Sequence, residues 1–315
     1  MRVLVTGGAG FIGSWTVEQL VDAGHDVWVY DSLASGRMGN LQRVIDAIHM
    51  VRGDVRSALS LHRAMRAFKP QVVIHLAACV SVPLSYSRAL RSHDHNTRGT
   101  LAVLEAARAS GARRVVLASS AAVYGAAATV PVSEESELAP LSPYALHKRL
   151  AEDYARVYSD LHGLETVALR YFNVFGPRQD PSSPYAGVIA RFVDAAKTNR
   201  RVTITGDGAQ TRDFVFVGDV ARVNLAAATA PIHHHTIVNV GTGRETSLLG
   251  LRSTIEAIVQ RPLPYVVTPA RPGDIQRSYA DVARLRAVLG VTCSTSLRDG
   301  LGALLSHSHE SSSAA

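Results

Sequence analysis

The 315-residue chain holds only two cysteines, and it contains no apolar run long enough to cross a bilayer, which takes about 20 residues. Cys79 and Cys293 lie far apart in apolar or loop contexts, so neither a disulfide framework nor a thiolate metal site is indicated. Two packed thiols in a reducing compartment are expected. Acidic residues are fewer than basic ones, 26 against 33, leaving a net charge of +7. The basic residues are mostly arginines scattered through helical stretches such as Leu104 to Arg114, so the excess reads as a solvated surface and no nucleic-acid partner is expected. Disorder is excluded for most of the chain by a hydrophobic content of 47%, enough for a large core. Met1-Arg2-Val3-Leu4-Val5 enters a strand pattern at once, so no signal peptide is expected and a soluble cytoplasmic protein is. The run His233-His234-His235 reads as exposed loop histidines, and residues 306–315, rich in Ser, His and Ala, as a disordered tail.

Short apolar runs alternate with helical patterns at Val3–Val5, Val27–Tyr30, Val72–His75, Val115–Leu117 and Val167–Arg170. That alternation predicts βαβ units and a doubly wound parallel sheet of the α/β class. From Asn173 the texture changes: Pro177, Pro181, Pro184, Gly187, Gly206 and Gly208 break the pattern into loops and short elements, as in a smaller substrate lobe. Strand-like runs at Phe214–Val217 and Ile237–Val240 make the two lobes interleave. The expected division is a dinucleotide-binding domain over 1–172, with 213–240 returning to it or to the lobe interface, and a substrate lobe formed by 173–212 and 241–305.

Directly after the first strand run stands Thr6-Gly7-Gly8-Ala9-Gly10-Phe11-Ile12-Gly13. Glycines at 7, 10 and 13 permit a tight turn, approach of a pyrophosphate to the backbone and close helix packing. The second strand run ends at Asp31, where a carboxylate accepts from both adenosine ribose hydroxyls and repels a 2′-phosphate. NAD is therefore expected rather than NADP. Arg37 points the other way, unless it is an ordinary loop arginine. Asp54 and Val55, after a third strand-like stretch, are placed to hold the adenine edge.

A second motif is Ser142-Pro143-Tyr144-Ala145-Leu146-His147-Lys148, preceded in the chain by Ser119-Ser120. Ser142 can cap a helix, Pro143 suits its first position, and the four-residue spacing stacks Tyr144 and Lys148 on one face. The helix dipole and the ammonium are both expected to pull the phenol below its reference pKa of about 10, making Tyr144 a general base. In the second lobe, Arg212 and Arg271 can each offer forked donors to a diphosphate, and Asp274 can accept from a ribose hydroxyl.

Taken in order, the glycine turn, Ser119-Ser120-Ala121-Ala122-Val123-Tyr124-Gly125, Tyr144-x-x-x-Lys148 and Arg271-Pro272-Gly273-Asp274 resemble the extended short-chain dehydrogenase/reductases. Within them they resemble the nucleotide-sugar 4-epimerases, over nearly the whole chain. The resemblance implies a Rossmann domain with NAD as a tightly held group, lined by Gly7, Gly10, Phe11, Ile12, Gly13, Asp31, Asp54, Val55, Leu76, Ala77, Ala78, Asn96, Ser119, Tyr144, Lys148 and Tyr171. It implies a nucleoside diphosphate sugar, UDP-linked, held by Asn173, Val188, Thr203, Thr205, Arg212, Arg271 and Asp274. Catalysis falls to Ser120, Tyr144 and Lys148: the 4-hydroxyl is oxidised, the 4-keto sugar turns over, and the hydride returns to its other face. A homodimer is also implied.

Ala121-Ala122 stand where the 4,6-dehydratases of this family carry an Asp-Glu pair, and alanine cannot carry a proton, so dehydration is disfavoured. Asp180 stands where uronate epimerases tend to have arginine, and is expected to repel a C6 carboxylate. Ser278 falls beside the sugar 2-substituent and is small, which leaves room for an N-acetyl group. The alternatives are a UDP-glucuronate 4-epimerase, a 4,6-dehydratase, a net oxidoreductase and, in another class, a non-catalytic NAD-sensing protein on the same fold.

Overall fold

A computed structural model describes residues 1–127, 129–180, 187–270 and 274–310. Its first half runs β1 (Arg2–Thr6), α1 (Phe11–Asp22), β2 (Asp26–Asp31), β3 (Ile48–Arg52), α2 (Ala58–Phe68) and β4 (Val72–His75). Helices α3 (Val82–Ser87), α4 (Ala89–His93) and α5 (Gly99–Ser110) follow, then β5 (Arg114–Ser120), α6 (Pro143–His162) and β6 (Glu165–Tyr171). The second half holds β7 (Asn173–Phe175), α7 (Val188–Thr198), β8 (Val202–Thr205), β9 (Thr211–Arg212), β10 (Phe214–Phe216), α8 (Val217–Thr229) and β11 (Thr236–Val240). It ends with β12 (Thr246–Ser247), α9 (Leu248–Val259), β13 (Tyr265–Thr268), α10 (Ala283–Leu289) and α11 (Leu297–Glu310).

Seven strands form one parallel sheet in the order β11-β6-β5-β4-β1-β2-β3. The α/β fold expected from the alternation is the one observed. Period-two side-chain alternation builds its two apolar layers: Val3 and Val5 enter one core with Val29, Ile74 and Val167, while Leu4 between them enters the other with Val73, Val115 and Leu117. Strands buried on both faces in this way must be apolar throughout, which is why these runs read as continuous rather than alternating. The order reverses between β1 and β4, and such a switch point opens a crevice at the carboxyl ends of the strands.

The smaller lobe is made of three strand pairs, β7 with β10, β9 with β12 and β8 with β13, packed with α7, α9 and α11 around Phe175, Phe192, Ile204, Leu251 and Leu301. Of the stretch 213–240, β10 pairs with β7 while β11 adds to the edge of the large sheet beside β6. Polar contacts tie the loop after β7 to the helix behind the glycine turn: Trp15 Nε1 donates to the Pro177 carbonyl at 3.3 Å and Arg178 reaches Glu18 at 2.7 Å. Helix α11 continues to Glu310, so the first five residues of the segment expected to be a disordered tail are helical.

Candidate active site

The carboxyl ends of the strands gather most of the residues singled out from the sequence. The glycine turn leaves β1, and Gly7 there has φ +72° with its backbone against Ala77: a Cβ would stand 2.6 Å from the Ala77 nitrogen. At Gly13 a Cβ would stand 2.1 Å from the Gly7 carbonyl oxygen, so α1 can sit on the turn only if this residue is glycine. At Gly10 an added Cβ would meet only the Gly7 oxygen, leaving the approach to the helix end open. No side chain caps α1 and no acid stands in its first turn, where Phe11 and Ile12 lie. These N–H groups suit a pyrophosphate.

Asp31 closes β2 with its carboxylate buried and oriented by two backbone donors, Ala9 N–H at 2.9 Å and Leu33 N–H at 2.8 Å. Arg37 ion-pairs with Asp180 at 3.1 Å. This contact changes the reading of both residues: the arginine points across to the second-lobe loop, and the negative charge of Asp180 is partly offset by a neighbour, which weakens its expected repulsion of a C6 carboxylate. Asp54 grips Arg56 in a bidentate pair that holds its carboxyl below the usual carboxylate range, and Val55 is buried beside Gly99.

Leu76, Ala77 and Ala78 follow β4, half-buried, and a buried polar relay fixes them. Thr100 Oγ donates to the Asn96 carbonyl at 2.6 Å and must therefore accept from His75 Nε2 at 3.0 Å. His75 Nδ1 is left to accept from Thr6 Oγ at 2.7 Å, and Thr6 Oγ accepts in turn from Ala77 N–H at 3.4 Å. Burial drives the His75 pKa down to about 3, with the Lys148 charge adding to it, so the ring stays neutral. Asn96, in a π-helical turn between α4 and α5, clamps the backbone of Cys79 through both ends of its amide at 2.8 and 2.9 Å.

Helix α6 forms as its sequence directs: Ser142 accepts from Ala145 N–H at 3.1 Å, Pro143 fills the first position, and Gly163 ends the helix at φ +64°. The Tyr144 phenol lies beside Ser120 at the end of β5, and the serine Oγ accepts from Ala122 N–H at 3.2 Å. Lys148 Nζ lies 5.9 Å from the Tyr144 ring centroid and donates to the Ala118 carbonyl at 2.7 Å. Ser119 turns the other way and donates to Glu152.

The expected lowering of the Tyr144 pKa is not met by the protein's own groups. Burial pushes it up to about 12, against the nearby Ser120 hydroxyl, and the Cys79 thiol adds to the rise. Burial also brings Lys148 down to about 8, resisted by the Glu152 carboxylate. Desolvation disfavours both charged forms here, and the lysine is committed to a carbonyl rather than to the phenol. The missing stabilisation of the phenolate must come from what binds beside it.

Tyr171 ends β6 next to Ser120, and its hydroxyl donates to Asn224 at 2.6 Å, so it has no proton left to give a ligand. In the second lobe, Asn173 opens β7 and Val188 opens α7, which packs against β8. Thr203 and Thr205 share the face of β8 opposite buried Val202 and Ile204. Arg212 is anchored through Nη1 to the carbonyls of Thr211 and Ile275 at 2.8 and 2.7 Å, with Nη2 4.0 Å from Asp274. Ser278 is half-buried, two residues before Ala280, which bridges to Val132. Arg271, Pro272 and Gly273 lie outside the described residues, as do Pro181 and Pro184. Sequence reasoning passed over Glu152, Arg170, His75 and Thr6; only Glu152, one turn beyond Lys148, carried a local signal.

Residues 3–241 match the model of the NAD dependent epimerase/dehydratase family. The chain belongs to that family. A UDP-glucose 4-epimerase of Mycolicibacterium smegmatis is 41% identical over 304 residues, covering 96% of each chain. The solved UDP-glucose 4-epimerase of Thermus thermophilus in complex with NAD superposes with a TM-score of 0.89 at 36% identity over 98% of each chain. The UDP-N-acetylglucosamine 4-epimerase of Methanobrevibacter ruminantium, in complex with UDP-N-acetylmuramic acid, gives a TM-score of 0.93 at 34% identity, again over 98% of each chain. NAD dependence is a property of this epimerase family, and the glycine turn, uncapped α1 and oriented Asp31 carboxylate fit that cofactor.

Proposed function

We propose that this epimerase family member interconverts UDP-hexoses at C4, UDP-glucose with UDP-galactose, through a 4-keto sugar. The observation that carries the reading is the placement of Tyr144 beside Ser120 and one turn from Lys148, at the mouth of a dinucleotide crevice. Tyr144 takes the 4-hydroxyl proton and later returns it, and Ser120 holds the same oxygen. Bound NAD supplies the acceptor and donor of the hydride, and its positive ring favours the phenolate that burial opposes. Arg212, together with Arg271, tethers the diphosphate while the sugar turns.

Ala121 and Ala122 follow Ser120 in a short 3₁₀ turn, so no acid stands there to move the protons that a dehydration needs. Incubating the purified protein separately with UDP-glucose, UDP-GlcNAc, UDP-glucuronate and dTDP-glucose, with products read by proton NMR, tests this. C4 epimers of the neutral UDP-hexoses are expected, with no net NADH. A 4-keto-6-deoxy product, or no product from any sugar, would refute it. We also propose that small Ser278 admits the N-acetylated pair. The same panel run on Ser278→Tyr should then lose UDP-GlcNAc turnover selectively, and an unchanged preference sinks the idea.

A homodimer and a cytoplasmic location complete the proposal. Two unpaired thiols suit a reducing compartment. On α6, Leu146, Val157 and Leu161 fall on one face by helical spacing and are 46%, 37% and 72% exposed, with Leu90 of α4 at 84%. Such a stripe suits a second copy of the chain. Light scattering at micromolar concentration should return twice the chain mass, and Leu161→Arg should halve it; a monomeric parent rules the dimer out.

A further inference from the structure

Three residues of α6 spaced one turn apart each meet one of three consecutive residues of β5. Tyr144 lies beside Ser120, Lys148 Nζ donates to the Ala118 carbonyl, and Glu152 accepts from Ser119 Oγ. The first two contacts belong to the chemistry already described. The third has no part in it, although Glu152 and Ser119 are both buried.

The same carboxylate receives Arg170 in a bidentate pair, Nε to Oε1 at 2.9 Å and Nη2 to Oε2 at 2.7 Å. Arg170 stands opposite Ser119 in the β5–β6 register. Its remaining nitrogen, Nη1, donates to Tyr124 at 2.9 Å and to the Glu134 carbonyl at 3.2 Å, and Tyr124 donates to Asn239 on β11 at 2.6 Å. Glu152 thus joins the catalytic helix to β5, β6 and β11 at one point. A carboxylate bonded to a guanidinium and a hydroxyl can move very little.

We propose that Glu152 is a positioning residue for the epimerisation: through Ser119 and Arg170 it fixes α6 against the end of β5, and it supplies the negative charge facing Lys148. The proposal rests on the function argued above. The charged and titratable groups around Lys148 are Tyr144 and Glu152 on its own helix, His75 from β4, which is neutral, and Arg170 from β6 on the far side of Glu152. Glu152 is the one that favours the ammonium form. With its charge removed, Lys148 should lose its proton at lower pH, and the alkaline limb of activity should move down.

Parent turnover of UDP-galactose is measured first, so that failure of the activity itself is seen separately. Ser119→Ala, which keeps both charges, should lower kcat about fivefold or more with KM within twofold of the parent and the alkaline limb in place. Glu152→Gln combined with Arg170→Leu removes both members of the ion pair together and leaves Lys148 without its facing negative charge; its kcat should fall about tenfold, and its alkaline limb should move down by about one pH unit. Folding of each variant is checked by its melting curve and by retention of NAD. A parent-like kcat in Ser119→Ala overturns the proposal, and this variant decides alone if the double variant does not fold. A parent-like alkaline limb in the folded double variant also overturns it, for Glu152 would then be no more than the partner of Arg170.

Discussion

Tyr144→Phe should retain its cofactor and lose about 10²–10⁴ of kcat on UDP-galactose, the range of a lost general acid–base group. The effect is expected to be confined to turnover because the phenol oxygen is the only atom removed. The ring stays packed, and the backbone N–H of residue 144 keeps its bond to Ser85 Oγ at 3.1 Å. Lys148 keeps its carbonyl partner on β5, so neither the helix nor the cofactor crevice should shift. Ser120 would lose its phenolic neighbour, and a neutral alcohol cannot take over as base. Steady-state kinetics on the variant, with NAD quantified after denaturation, gives the answer. A kcat within tenfold of the parent would remove Tyr144 from the role of base, and loss of NAD would make it a structural residue.

Arg170→Leu alone should cost about 3–5 kcal/mol of stability, because it leaves the buried Glu152 carboxylate without its counter-charge. In a chain of this size that corresponds to a melting temperature lower by about 5–8 °C. Three further contacts go with it: the bonds to Tyr124 and the Glu134 carbonyl, and the guanidinium stacked 4.8 Å from the Tyr124 ring centroid. Adding Glu152→Gln should recover much of the loss, since replacing a buried pair together costs far less than breaking it. Calorimetry on the single and double variants checks this. A single variant as stable as the parent, or a double variant no better than the single, contradicts it.

What could be read from the sequence was whatever the chemistry confines to a few neighbouring residues. A glycine turn, a Ser-Pro helix start and a tyrosine four residues from a lysine are all local patterns, and the structure sets each at the crevice where the strand order reverses. Hydrophobic runs gave the sheet for the same reason, since a strand buried on both faces has no polar choice. Contacts made across the fold left no such trace. Arg170 reads as a charge at the end of an apolar strand, and only the register of β5 with β6 and the approach of α6 make it the partner of Glu152. The direction of the Tyr144 pKa went astray for a related reason: the spacing revealed the helix dipole and the lysine but not the depth of burial, which outweighs them. Asp180 was read only for its charge against a C6 carboxylate, and nothing local showed that the fold brings Arg37, 143 residues earlier, beside it.

The placement of β11 has a consequence for how this chain can be made. The sheet that holds the cofactor is finished at Thr236–Val240, well after the chain has left to build much of the other lobe. A ribosome that has produced the first 172 residues has released a half whose β6 edge is bare and whose core lacks Val238 and Val240. Such a fragment presents an unpaired strand to any neighbour. A cut at residue 172 therefore removes the last strand of the cofactor sheet along with the second lobe.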